Sequence, residues 1–228
     1  MEQNAKSVIK KLKAMSNPKA VQGMARFGIN PKNNMGLSVV QLRAIAKSLG
    51  HSHPLSLELW DSGLHDARIL AALIEEPAKM TEEQMDQWAH DFDSWDICDL
   101  CCIHLFDQAP EVYKKARQWS RAREEFVKRA GFSLMAVLSV HDKKKPDSVF
   151  EGFLPRIVKE SRDERNYVKK SVNWALRQIG KRNLYLNQKA IATARLIHLQ
   201  DNKTSRWIAS DALRELTSEA VQARLSDK

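Results

Sequence analysis

An internal repeat of about forty residues limits the possible folds of this chain more than any other feature. Glu125-Phe126-Val127-Lys128-Arg129-Ala130 leads into an apolar run ending Leu134-Met135-Ala136-Val137-Leu138. Asn166-Tyr167-Val168-Lys169-Lys170-Ser171 then leads into Trp174-Ala175-Leu176. Arg206-Trp207-Ile208-Ala209-Ser210-Asp211 leads into Ala212-Leu213. The aromatic residues at 126, 167 and 207 are 41 and 40 positions apart, and each opens a helical pattern. Further helical segments are expected between them, near 148–160 and 187–199. Leu59-Trp60-Asp61 and Ser94-Trp95-Asp96 hint at the same grammar earlier in the chain.

Two helices per period near forty is the spacing of HEAT-type repeats. One pair cannot bury its apolar stripe alone, so neighbouring pairs must stack. The expected fold is all-α: a HEAT-like solenoid, or α-α superhelix, forming one domain over 1–228. Helices within 1–50 would act as a cap. Its concave face would form a basic groove, because Lys128-Arg129 and Lys169-Lys170 fall at matching repeat positions and Arg206 adjoins the third repeat aromatic. Placed one repeat apart, such cations can follow a phosphate backbone.

The N-terminal half reads as helical too. Met1 to Met15 forms a polar amphipathic pattern, with Val8, Leu12 and Met15 on one face. Leu42, Ile45 and Leu49 follow another face, after Ser38 and Gln41 in capping-box spacing. Thr81 before Glu82-Glu83 opens a further helix. Only 8 glycines and 7 prolines occur in 228 residues, and no alternating run flanks a tight turn, so no hairpin is expected.

Charge is strongly segregated. Residues 1–50 carry a net +8, residues 51–110 carry −11 and residues 121–190 carry +9, within a total of +9. This pattern fits either a positive face for a polyanion or ordinary solvated helix surface. No apolar run approaches the roughly 18 residues of a membrane span. No signal-peptide stretch is visible near the start. The three cysteines, Cys98, Cys101 and Cys102, are too clustered for a disulfide framework. A reducing, cytoplasmic setting is expected.

One short stretch carries candidate chemistry. In Ser94-Trp95-Asp96-Ile97-Cys98-Asp99, the indole of Trp95 and the carboxylate of Asp99 are at i and i+4, on one helix face. In a cleft they would make a flat wall beside a negative charge, suited to a flat cation. The same residues also fit a capped helix start, with Asp99 as a dipole-favoured acid and Trp95 in the core. Asp93 or Ser94 is a plausible cap, and Asp96 a structural first-turn acid. Arg129 fits either a phosphate contact or an i,i+4 pair with Glu125. Trp60, Trp88, Trp119 and Trp207 read as core or scaffold. Cys98, Cys101, Cys102 and His104 lack zinc-site spacing and read as small buried groups, so no metal is expected. Lys143-Lys144-Lys145-Pro146 reads as a basic loop. No Walker loop or GxGxxG is present.

Four segments occur in order from about residue 20 onward: Gly23-Met24-Ala25-Arg26-Phe27, Trp95-Asp96-Ile97-Cys98-Asp99, Lys128-Arg129-Ala130, and Lys169-Lys170-Ser171-Val172-Asn173-Trp174-Ala175-Leu176-Arg177. Together they resemble the DNA alkylation repair glycosylases, the AlkD-like proteins with HEAT-like repeats. The resemblance implies a monofunctional DNA glycosylase, a hydrolase that excises cationic alkylpurines such as 3-methyladenine and 7-methylguanine from duplex DNA. It implies that Asp99 is the catalytic carboxylate, with Trp95 and Trp174 as aromatic walls. It also implies that Arg129 is the cleft arginine contacting the DNA backbone, and Lys128, Lys169, Lys170 and Arg177 are read beside it as further candidate phosphate contacts. Phe27 stands where the family carries a tyrosine, so a cleft hydroxyl is missing. No cofactor is implied. The expected partner is double-stranded DNA, bound by a monomer acting at the nucleoid. The alternative is a non-catalytic HEAT-like module for damaged or branched DNA. A protein-interaction solenoid is a third reading, disfavoured by the charge pattern and motif order.

Overall fold

The computed structural model describes residues 4–226, and no strand occurs among them. Met1, Glu2 and Gln3, the start of the expected N-terminal helix, lie outside the described residues. The chain divides into two compact units, Met1–Pro110 and Glu111–Lys228.

The first unit holds α1 (Ala5–Ala14), α2 (Pro18–Arg26), α3 (Val39–Leu49), α4 (His53–Asp61), α5 (His65–Ile74), α6 (Glu82–His90) and α7 (Trp95–His104). Asn4 caps α1 by accepting the Ser7 N–H at 3.0 Å, and Val8 and Leu12 are buried as their spacing predicts. Ser38 and Gln41 form the expected capping box on α3, which buries Leu42 and Ile45. Thr81 Oγ1 accepts the Gln84 N–H at 3.2 Å and starts α6. Central to the unit is α5, which packs on α3, α4 and α7 and buries Ala67, Ile69, Leu70, Ala71, Ala72 and Ile74. Trp60 and Trp88 stack in parallel, with ring centroids 3.8 Å apart. Aromatic pairs add about 0.5–1.5 kcal/mol beyond the area they bury.

The second unit holds α8 (Val112–Trp119), α9 (Glu125–His141), α10 (Asp147–Glu151), α11 (Leu154–Glu160), α12 (Asn166–Gly180), α13 (Leu184–His198), α14 (Lys203–Leu216) and α15 (Glu219–Ser226). Every residue from Phe132 to Leu138 is buried, so α9 is covered on all sides. It packs on α8 and α12, while α12 also packs on α13 and α14. The three repeat aromatics therefore lie on three successively stacked helices. Phe126 and Tyr167 meet directly, with centroids 5.3 Å apart. Helix pairs α8–α9, α11–α12 and α13–α14 recur along the unit.

Two expectations shift. The segment 148–160 is two helices, because Pro155 lies in the first turn of α11 and cannot donate a backbone hydrogen bond there. The segment expected at 187–199 begins at Leu184, where Asn183 Oδ1 accepts the Leu186 N–H at 2.9 Å. Buried Asn187 donates to the carbonyls of Gly180 at 2.9 Å and Leu216 at 3.3 Å, joining the ends of α12 and α14. Among the described residues, no helix is long and apolar enough to cross a membrane.

Candidate functional site

The start of α7 is held from two sides. Ser94 occupies the cap position with extended backbone, but its hydroxyl does not cap the helix. Instead it donates to Asp96 Oδ1 at 2.5 Å and accepts the Asn30 N–H at 3.1 Å. Asn30 Nδ2 donates to Asp93 Oδ2 at 2.9 Å. Trp95 Nε1 donates to the Phe27 carbonyl at 3.1 Å. Residues 27–30, which follow α2, are thus pinned to the first turn of α7.

Trp95 and Asp99 are both half-buried on this helix. Trp60 and Trp88 in the same unit are almost fully buried, so Trp95 is not a core tryptophan. Phe27 caps α2 and leaves 78% of its surface exposed. The first unit therefore brings Phe27 to Trp95 and sets Asp99 one turn further along α7.

Behind this turn is a buried charge network that the sequence reading missed. His65 Nε2 is 3.0 Å from Asp96 Oδ2, and His65 Nδ1 faces Asp66 Oδ2 at 3.8 Å. Burial alone would disfavour the imidazolium, but the Asp66 and Asp96 carboxylates outweigh it and raise His65 to about 9. Burial likewise opposes ionisation of Asp96, and the His65 partner overcomes it, holding Asp96 below the usual carboxylate range. Asp66 also accepts the N–H groups of Met35 at 2.6 Å and Leu37 at 2.9 Å. The network thereby fixes the 35–37 backbone as well as α7. No local motif signals it, because His65 and Asp96 are 31 residues apart. Asp96 is structural, as its first-turn position indicated.

Cys98, Cys101 and Cys102 are fully buried, and burial pushes the Cys101 and Cys102 thiols well up. Such thiols behave as small apolar groups rather than nucleophiles.

In the second unit the repeat-matched cations have different surroundings. Lys128 Nζ contacts Glu160 Oε2 at 2.6 Å and Asp163 Oδ2 at 3.2 Å, with only 12% of its side chain exposed. Buried Arg129 donates from Nη1 to the Tyr167 carbonyl at 2.7 Å, tying α9 to α12. Lys169 sits over the Trp207 ring, 5.3 Å from its centroid, and Lys170 is exposed. Trp174 is half-buried. Arg177 Nη1 contacts Glu215 Oε2 at 2.5 Å and Asp211 Oδ2 at 3.7 Å. Trp207 corrects the core reading, because 42% of it is exposed. Its neighbours Ile208 and Ala209 turn inward instead.

These elements define an all-α protein of HEAT-like repeats. The family model described as DNA alkylation repair enzyme matches residues 8–216, and the chain belongs to that family. An uncharacterized protein of Listeria innocua is 25% identical over 201 residues, covering 85% of this chain and 88% of that protein. An uncharacterized protein of Listeria monocytogenes is 23% identical over 190 residues, covering 82% of this chain and 83% of that protein. A solved structure superposes with a TM-score of 0.79 at 20% identity, covering 98% of this chain and 96% of that one. It is described as a new family of proteins related to the HEAT-like repeat DNA glycosylases with affinity for branched DNA structures.

Proposed function

We propose that this protein is a monofunctional DNA glycosylase that hydrolyses the N-glycosidic bond of cationic N3- or N7-alkylated purines in duplex DNA. The observation carrying this reading, within a DNA alkylation repair family, is the half-buried Trp95–Asp99 face of α7 beside exposed Phe27. The protein acts as a monomer in the cytoplasm, at the nucleoid.

Alkylation places a positive charge on the purine. When the C1′–N9 bond breaks, its electron pair leaves with the base, which departs neutral. The sugar becomes an oxocarbenium-like cation, and the Asp99 carboxylate stabilises it. The oxygen of a water molecule bonds to C1′, and the released proton passes through Asp99 to solvent. Loss of one preorganised electrostatic group of this kind costs on the order of 10²–10³ in rate. The indoles of Trp95 and Trp174 attract the cationic lesion, at roughly 0.5–2 kcal/mol per contact. The leaving group is activated by its own charge, so the step requires no metal.

Lys170, exposed, and Lys169, over Trp207, make the main phosphate contacts in this reading, with Arg129 behind them. Lys128 and Arg177 reach phosphate only by giving up carboxylate partners. Phe27 offers a ring face to DNA without the hydroxyl of the family tyrosine.

The second reading is a binding module for damaged or branched DNA that does not cleave it. It is favoured by the branched-DNA affinity described for the structurally similar protein.

One assay separates the two. Purified protein is incubated with duplex containing 7-methylguanine, and free base and abasic sites are quantified. Release above the spontaneous rate, abolished by Asp99→Asn with DNA binding retained, is the expected result. Tight binding without release would replace the first reading with the second. Normal turnover by Asp99→Asn would remove Asp99 from the catalytic role.

A further inference from the structure

The Lys143-Lys144-Lys145-Pro146 loop has no role in the reading above, yet it borders a built cavity. A cavity of about 500 Å³ is lined by Lys143, Lys145, Pro146, Asp147, Arg182 and Asn183. A second, of about 210 Å³, shares Lys143 and Arg182 and adds Lys181 and Arg224. Five cations therefore line this pair of neighbouring hollows, and Asp147 supplies the one carboxylate among the lining residues. Lys181 additionally pairs with Glu215 just outside them.

Arg182, with 7% of its side chain exposed, pairs through Nε with Asp147 Oδ1 at 3.6 Å. It donates to the Ser139 and Lys145 carbonyls, each at 3.1 Å, and its guanidinium lies 4.1 Å from the Phe150 ring centroid. Asp142 accepts the N–H groups of Lys144 at 2.9 Å and Lys145 at 3.1 Å, fixing the loop conformation. The rim is different: Lys143, Lys145 and Arg224 are exposed. Pinned backbone beneath exposed cations favours an anion that arrives from solvent.

The hollow also continues a helix face already assigned to DNA. Lys170, Trp174 and Arg177 recur on α12 at i, i+4 and i+7, so they form one stripe, and Lys181 follows at the C-cap of the helix. From Trp174 to Lys181 the helix advances about 10 Å, and duplex DNA advances about 3.4 Å per phosphate on each strand. A duplex whose axis runs parallel to α12 at Trp174 thus reaches the hollow within about three base pairs.

We infer that Lys143 and Arg224, beside the fixed Arg182, form a phosphate-binding site for the DNA backbone flanking the lesion. The inference rests on the proposed DNA-repair reading, but its test uses undamaged DNA.

Affinity for an undamaged 24-base-pair duplex is measured by fluorescence anisotropy from 50 to 200 mM salt. Lys143→Ala/Arg224→Ala removes two rim cations. The expected result is a roughly tenfold weaker affinity at 100 mM salt, and a log–log salt slope reduced by about two. An unchanged slope overturns the inference. So does protection of Lys143 from acylation by inorganic phosphate but not by duplex, which would assign the hollow to a small phosphate-bearing ligand. Absence of base release by the parent protein would sink the glycosylase reading and leave the slope comparison intact.

Discussion

His65 Nε2 lies 3.0 Å from Asp96 Oδ2 and ties the first residue of α5 to the first turn of α7. His65 is raised from 6.5 to about 9, so the folded state holds its proton after the unfolded chain has lost it. The associated stability is fully present below pH 6.5 and declines until it is gone above about 9. At 1.36 kcal/mol per pKa unit, the loss is at most about 3 kcal/mol. Asp96 works in the opposite sense: its share is present above 3.8 and is lost as pH falls through its lowered folded value. Urea midpoints measured from pH 6 to 10 should decline, and His65→Gln should flatten that limb. Equal declines in both proteins would reject the assignment.

Trp95 and Trp60 should differ in which readout suffers most from loss of the indole N–H. Trp95→Phe removes the bond to the Phe27 carbonyl, which solvent can satisfy, so stability should fall by only about 0.5–1.5 kcal/mol. Trp60 Nε1 donates to Asp91 Oδ2 at 2.8 Å, beneath the Trp88 stack. Trp60→Phe loses a hydrogen bond to a charged group, about 1.5–3 kcal/mol, along with stacking area. Base release should drop more in Trp95→Phe, and thermal stability more in Trp60→Phe. The reverse ranking would place Trp95 in the scaffold.

Gly131 in α9 is required by the close approach of α8. A Cβ there would lie 2.3 Å from the Ser120 backbone nitrogen and 2.8 Å from the Trp119 carbonyl carbon. Neither atom can rotate away. Gly131→Ala should therefore destabilise by about 3 kcal/mol, read from chemical denaturation. A loss below about 0.5 kcal/mol would mean that the α8–α9 contact yields readily.

Lys128 and Lys170, which lie in matching repeat segments, should separate experimentally. Lys128→Ala leaves Glu160 and Asp163 short of a shared partner and should cost about 1–3 kcal/mol in stability. Lys170→Ala should leave the melting temperature unchanged and reduce the salt slope of DNA binding by about one. Matching effects from the two variants would contradict their different surroundings.

Much of the fold was legible because its signals are local. The caps at Ser38 and Thr81, the apolar face of Val8 and Leu12, and the aromatics opening α9 and α12 all lie within a few residues of what they control. The break at Gly152-Phe153 was overlooked because apolar periodicity runs on through Pro155, whose backbone cannot complete the hydrogen bonds. At the candidate site, the Trp95–Asp99 face follows from i,i+4 spacing alone. The Phe27 carbonyl under the Trp95 indole does not, because 68 residues separate them.

The sequence by itself determined the helical class, the forty-residue period and the motif order that marks the DNA alkylation repair family. These depend on helical periodicity and residue order, which the linear chain contains. Only the tertiary structure decided which members of equivalent motifs face carboxylates, carbonyls or solvent. It turned Lys128 to Glu160, Arg129 to the Tyr167 carbonyl and Trp207 outward, and it brought His65 to Asp96. Burial and charge pairing depend on distances through space, set by how whole helices stack.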